Sequence, residues 1–323
     1  WQENNKGSQG DAFFVAPNPP FGAVFTYYLK DGLKTAMETR QEKEKNAAEN
    51  GEDTPYPGWS ALRQEELEDE PAIVLTVRYG DGEVIRQIEG PVSAGIHRIA
   101  WDLRYPKSNP WTPNDDGPGW IDFPGPLAEP GSYSVSIAKR VNGVVTDLGQ
   151  SQAFQVNSIV ERGLPGATPA EVVAFNLRID ELNRQVFGAG AAAKTALTEV
   201  NAIKSTLVRS SAPAALREEA RRIELELKAL TELMSGNDRR DLYGDAGPVS
   251  ISNRIQPARM GTFRSTYGPT TMHRQSIEIA EADFEQVKTR LGQVIDSDLP
   301  ALRAQLDANN VPWTPGRGVP GGD

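Results

Sequence analysis

The stretch GIHRIAWDLRYP, residues 95–106, holds one of the chain's two histidines, and a few positions away sit Asp102, Arg98, Arg104 and Tyr105. It reads either as catalytic machinery or as one strand of a sheet. Ile96, Arg98, Ala100 and Asp102 alternate with His97, Ile99, Trp101 and Leu103, the period of a half-buried strand. Successive strand side chains point to opposite faces, so His97 and Asp102, an odd number apart, cannot pair as a base and its orienting carboxylate without a bulge. The strand reading places Trp101 and Leu103 in a core and His97 in a structural, half-buried position.

The neighbouring sequence repeats this period. AIVLTVRYGDGEVIRQIEG gives two strands around Gly80-Asp81-Gly82, with Val74, Thr76 and Arg78 opposite Leu75, Val77 and Tyr79. In PGSYSVSIAKRVNGV, Tyr133, Val135 and Ile137 face away from Ser132, Ser134 and Ser136. Asn142-Gly143 makes a hairpin turn there, and QAFQV closes the set. FGAVFTYYL, residues 21–29, is an earlier strand between Pro20 and Asp31-Gly32. Short strands with regularly spaced turn signals predict an antiparallel β-sandwich over 18–160. Residues 32–70 interrupt it with a charged insertion: a solvated helix or loop over 34–53, then a short helix capped by Ser60 and stopped by Pro71.

From Thr168 the period becomes helical. Thr168, Pro169 and Glu171 form a capping box with proline in the first turn. Val172, Phe175, Ile179, Leu182, Val186, Ala189, Ala193, Leu197, Val200, Ile203 and Leu207 recur at spacings of three and four, predicting a rod of ~60 Å. GAGAAA, residues 188–193, either permits close helix approach or breaks that rod. Leu216, Ala220, Ile223, Leu227, Leu230 and Met234 form a second seam, which Gly236 ends. Ile277, Ala280, Phe284, Val287, Leu291 and Val294, then Leu299, Leu302 and Leu306, form a third, with Pro300 expected to kink or restart it. Matched seams predict an antiparallel three-helix bundle over 165–310 with a long loop at 235–270, then a Pro/Gly-rich tail at 311–323.

Composition narrows the chemistry. The 323 residues carry a net charge of −10, which argues against binding a phosphate backbone. No apolar run approaches the ~20 residues of a membrane span. The chain has no cysteine, excluding disulfides, thiolate zinc and a cysteine nucleophile, and two histidines leave little for a histidine metal site. It starts at Trp1 without Met, and WQENNKGSQGDAFF (with the rest of 1–17 a lead-in segment) reads as the interior of a longer protein.

Further candidates are surface features. Trp111 and Trp120, with Trp59 elsewhere, could stack on sugar rings or pack a loop onto its domain. Asp115, Asp116 and Asp122 lack the spacing of a calcium loop, so a solvated loop is the preferred reading over bound Ca²⁺, and no cofactor is implied. Arg239, Arg240, Arg254, Arg259 and Arg264 run against the acidic trend, fitting an acidic partner or a salt-bridged loop. No carboxylate pair stands out for glycoside hydrolysis, and GAGAAAK has neither a preceding strand nor phosphate-loop spacing.

NPPFGAVFTYYLKD (18–31), GEVIRQIEGPVSAGIHRIAWDLRYP (82–106), GPLAEPGSYSVSI (125–137), ISNRI (251–255) and PWTPGR (312–317) together resemble the C-terminal region of secreted bacterial proteins. Those proteins carry BNR-repeat, sortilin-type β-propellers and are often labelled glycosyl hydrolases. The strand set also resembles the immunoglobulin-like module of the flagellar hook-capping protein. The resemblance implies an immunoglobulin-like sandwich, an extracellular or periplasmic setting and an upstream propeller as partner. Any hydrolase activity would belong to that propeller, because its aspartate-box motifs are absent here.

The sequence thus predicts an α+β multidomain chain, an immunoglobulin-like sandwich followed by a three-helix bundle. Its expected role is a non-catalytic accessory region that braces the propeller or presents a binding surface. The alternatives are a carbohydrate-binding module using Trp59, Trp111 and Trp120, and an oligomerisation module acting through the bundle.

Overall fold

The computed structural model describes residues 18–80, 82–108, 124–159, 163–245, 247–263, 265 and 267–318. The chain combines helices with antiparallel sheets and divides into two compact units. One holds the described residues up to Tyr105 together with Pro130–Ile159. The other holds the described parts of Pro106–Glu129 and of the chain from Gly163 onward. Residues 106–108 and 124–129, read from sequence as part of the first domain, therefore group with the helical unit.

In the β-unit, β1 (Ala23–Leu29) pairs with β4 (Gly95–Trp101) as a two-stranded sheet. β2 (Ala72–Tyr79), β3 (Glu83–Gly90), β5 (Gly131–Val141) and β6 (Val144–Val156) form a second sheet in the order β3-β2-β5-β6. The expected β2–β3 hairpin forms, with Gly82 N–H donating to the Tyr79 carbonyl at 2.7 Å; Asp81 itself lies outside the described residues. At the β5–β6 turn, Asn142 and Gly143 have φ of 47° and 73°, as the Asn-Gly pair predicts. β6 runs well beyond QAFQV and is exposed along nearly all its length as an edge strand. Two of its residues, Leu148 and Gly149, are looped out opposite the Ile137–Ala138 step.

The sheets face each other through aromatic rings. Trp101 is fully buried, 5.3 Å from Tyr133 and 6.2 Å from Phe154, and Phe25 lies 5.4 Å from Phe154. Leu103 departs from the expected alternation: its φ of 57° takes it out of the strand, and it is only half-buried. β2 differs more. It is buried on both faces from Ala72 to Val77, an inner strand flanked by β3 and β5. Arg140 on β5 and Glu89 on β3 form an ion pair at 2.7 Å, and their register partners on β2 are Ala72 and Val74. The pair thus spans β2, and its aliphatic stems shield the small residues beneath.

The charged insertion folds as α1 (Ala36–Glu49) and α2 (Trp59–Glu66). α1 buries no residue; a Thr35–Glu38 capping box and ion pairs hold it. Arg40 donates to both Glu65 oxygens at 2.7 and 2.8 Å, tying α1 to α2. Ser60 does not cap α2. Gly58 holds that position, and Ser60 lies inside the helix.

In the helical unit, α3 (Pro169–Leu207) is one unbroken helix of 39 residues, opened by the expected Thr168–Glu171 capping box. Most of its predicted seam is buried, with Val173 taking the place of Val172, which is half-buried. GAGAAA neither breaks the rod nor needs its glycines for close approach, since a Cβ on Gly188 or Gly190 would meet nothing within 4 Å. Replacing either with alanine is therefore expected to raise stability by about 0.5–1 kcal/mol. Urea denaturation of the helical signal checks this, and a loss of stability would contradict it.

The seam of α4 (Ala214–Ser235) is buried at every predicted position, and Gly236 ends it at φ 89°. α5 (Asp238–Leu242) and α6 (Ile251–Phe263) occupy the expected loop. α7 (Thr271–Gln293) runs into a π-helical turn, Val294–Asp298, and then α8 (Leu299–Ala308), with Pro300 in the first turn of α8. The proline lacks an N–H and crowds the preceding turn, so the helix widens there and restarts.

The three-helix bundle is corrected by α6, which packs against α3, α4 and α7. Ile251, Ile255, Ala258 and Thr262 are its buried face, and Ser250 Oγ caps it by accepting from Asn253 N–H at 3.2 Å. Gly261 lets α6 approach α7: a Cβ there would lie 2.3 Å from the His273 ring. That ring is the N3 partner in the capping box of α7, so His273 is structural.

The tail is likewise no free extension through its described part. Val311 and Thr314 are buried, and Arg317 donates to the carbonyls of Val311 and Pro312 and pairs with Asp307.

Candidate functional site

The strand that carries His97 and Asp102 is built as structure. His97 stacks beside Tyr27, their ring centroids 5.3 Å apart, and its Nε2 lies 2.7 Å from the Ser93 carbonyl. Asp102, one position past β4, accepts from Arg104 N–H at 3.2 Å, closing a local turn. Trp101 Nε1 donates to the Arg104 carbonyl at 3.0 Å. His97, Trp101 and Asp102 are thus each engaged with nearby backbone. Burial also pushes the Tyr27 hydroxyl pKa up, and that hydroxyl donates to the Pro91 carbonyl at 2.7 Å.

Of the tryptophans singled out for sugar binding, Trp59 opens α2 and is 64% exposed. Trp111 and Trp120 lie outside the described residues, as do Asp115, Asp116, Asp122 and Arg264. Among the described residues, no group of three or more metal-ligating side chains converges, and no helix is long and apolar enough to cross a membrane.

The remaining arginines are held on two elements. Arg239 and Arg240 are on α5, with Arg240 facing Glu232 and Asp245 at 3.5 and 3.6 Å. Arg254 and Arg259 project from α6 toward acids on α7 and α3, Asp283 at 3.5 Å and Asp180 at 3.7 Å. Asp180 also accepts from Ser108 Oγ at 3.1 Å, which in turn accepts from Asn183 at 3.2 Å. Burial raises the Asp180 pKa, and the nearby guanidinium and hydroxyl only partly offset it. This network fastens Ser108 to α3.

Sequence reasoning missed a different cationic surface, on α3 and α4. Glu224 is 4% exposed and carries three cations: Lys204, Arg221 at 2.7 Å and Lys228 at 2.6 Å. Beside it, Lys204, Arg217, Glu218, Arg221, Arg222 and Leu225 line an open groove of about 580 Å³. The signal was present as alternating charge along α4, but a charge run on a helix usually means a solvated face. Only the fold shows which cations share a buried acid.

Hydrogen bonds from Lys204, Lys228 and Arg221 hold the Glu224 pKa down at about 2, against an ordinary value of 4.5. A carboxylate with a lowered folded-state pKa stabilises the protein above its unfolded value, and that contribution disappears as pH falls toward the folded value. Wild-type protein is therefore expected to lose stability between pH 4.5 and about 2 more steeply than Glu224→Gln. Urea midpoints across that range check this, and parallel curves would refute it.

On the β-unit, the outer face of β1 and β4 is mixed, with the exposed Thr26–Arg98 pair lying between Val24–Ala100 and Tyr28–Ile96. Tyr28 and Ile96 are cross-strand partners, 67% and 72% exposed, and Val24 shares their face. Phe21, two residues before β1, is 66% exposed.

No protein-family model matches the chain, and neither a curated protein nor a solved structure matches it.

Proposed function

We propose that this chain is a non-catalytic accessory region of a larger secreted protein of the propeller-bearing, glycosyl-hydrolase-labelled type. On this reading its two facing sheets are an immunoglobulin-like sandwich that works outside the cytoplasm, in an extracellular or periplasmic setting. The region braces an upstream propeller through a surface of its own. One observation carries the reading: the exposed Tyr28–Ile96 pair on the outer face of the two-stranded sheet. Paired strands give such residues a fixed geometry, and a tyrosine and an isoleucine held side by side in water favour an interaction surface.

Hydrogen exchange tests it. In protein that includes the region upstream of Trp1, amides of residues 23–29 and 95–101 are expected to exchange more slowly than in this chain alone. Tyr28→Ser with Ile96→Ser is expected to remove the difference. Equal exchange in the two proteins would overturn the reading.

A further inference from the structure

We infer that the groove on α3 and α4 is a docking site for an acidic peptide segment in extended conformation. The inference rests on reading the chain as an interaction region, but it concerns the helical unit and not the sheet face.

Four of the six groove-lining residues are cationic, Lys204, Arg217, Arg221 and Arg222, against one acid, Glu218. This runs counter to a chain of net charge −10. Arg217 and Arg221 stand one turn apart on α4, a like-charge pair that costs helix stability where nothing compensates it. Arg221 and Lys204 share Glu224 with Lys228, three cations on one carboxylate, and with Arg217 and Arg222 set against Glu218, Glu219 and Asp298 the cluster keeps one net positive charge. Arg222 is the most neutralised, paired with Glu219 and Asp298 at 2.6 and 2.7 Å. Among the described residues, Arg217 makes only a 3.4 Å contact to the Leu207 carbonyl at the end of α3.

Spacing and apolarity favour a peptide over a denser polyanion. Residues one helical turn apart stand about 6 Å apart. Alternate residues of an extended chain are separated by about 6.6 Å, so carboxylates at alternate positions match Arg217 and Arg221. Leu225, 50% exposed, continues the Arg217–Arg221 stripe by one turn and offers a contact to an apolar side chain. A nucleic acid or sulfated glycan has no use for that leucine and, being more densely charged than an alternating acidic peptide, meets stronger repulsion from the acidic remainder of the chain.

The test is fluorescence anisotropy with a labelled synthetic peptide carrying glutamates at alternate positions followed by a leucine. The intact chain is expected to bind it with a Kd of about 10–100 µM at low salt, weakening as salt rises. Arg217→Glu is expected to weaken binding about tenfold or more and Arg217→Gln by less, while Lys43→Glu on exposed α1, with the same change in net charge as Arg217→Glu, leaves it unchanged. Circular dichroism confirms that each variant folds. Absence of binding, or equal weakening by Lys43→Glu, would overturn the inference. Tighter binding of a sulfated oligosaccharide or an oligonucleotide at the same arginines would overturn it too. The hydrogen-exchange experiment on β1 and β4 reads other residues, so the two ideas fail separately.

Discussion

Replacing Trp101 with alanine is expected to cost the β-unit about 3–5 kcal/mol, the range for deleting a large aromatic from a packed core. Trp101 is fully buried and meets Tyr133 and Phe154, which belong to β5 and β6 of the opposing sheet. Its indole N–H also donates to the Arg104 carbonyl, so the substitution leaves a cavity and removes a hydrogen bond. Trp101→Phe keeps part of the ring contact but not that hydrogen bond, and is expected to lose roughly half as much. Native-state hydrogen exchange at β2 and β5 amides measures both variants. A loss under about 1 kcal/mol for Trp101→Ala would show that the two sheets do not depend on this residue.

Ending the chain at Asn310 is expected to destabilise the helical unit by about 2–3 kcal/mol, although the removed segment is rich in proline and glycine. Burying a valine side chain contributes about 1.5–3 kcal/mol, and Val311 is 5% exposed within the helical core. The cut also removes Arg317, whose guanidinium gathers the Val311 and Pro312 carbonyls and the Asp307 carboxylate. On the far side of that segment, Gly316 lies against Glu199, a buried acid of α3 that accepts two hydrogen bonds from Arg303 at 2.7 Å. Thermal melts followed by helical circular dichroism check the expectation, with Val311→Ala predicted to show about half the loss. A shortened chain as stable as the original would mean that the fold-back contributes nothing.

The first experiment probes a place that the sequence makes legible, the second one that it does not. The strand around Trp101 was legible because alternation is a local property: His97, Ile99 and Trp101 face inward as their spacing requires. The seams of α4 and α7 were legible for the same reason. α6 was not. Its buried face has two isoleucines, one alanine and one threonine, and it contains Pro257 and Gly261, both poor helix formers. Its helix is held by neighbours, through the small residues that let it approach α7 and through Ser276 Oγ donating to the Arg254 carbonyl. The same limit hid the groove. Lys204, Arg221 and Lys228 look like any solvated helical face until Glu224 is seen buried among them.

What the sequence determined alone is the kind of each element and the side it buries. Period-two alternation marked the inward face of β4, and three-four spacing marked those of α3, α4 and α7. It also separated His97 from Asp102, since no unbulged strand lets residues an odd number apart share a face. Only the tertiary structure decided which strands are inner, that a proline-bearing segment completes the bundle, that 311–318 folds back, and which cations gather on one buried carboxylate. Each of these depends on partners far away in the chain. Burial and charge neutralisation are set by such partners, and no local pattern encodes them.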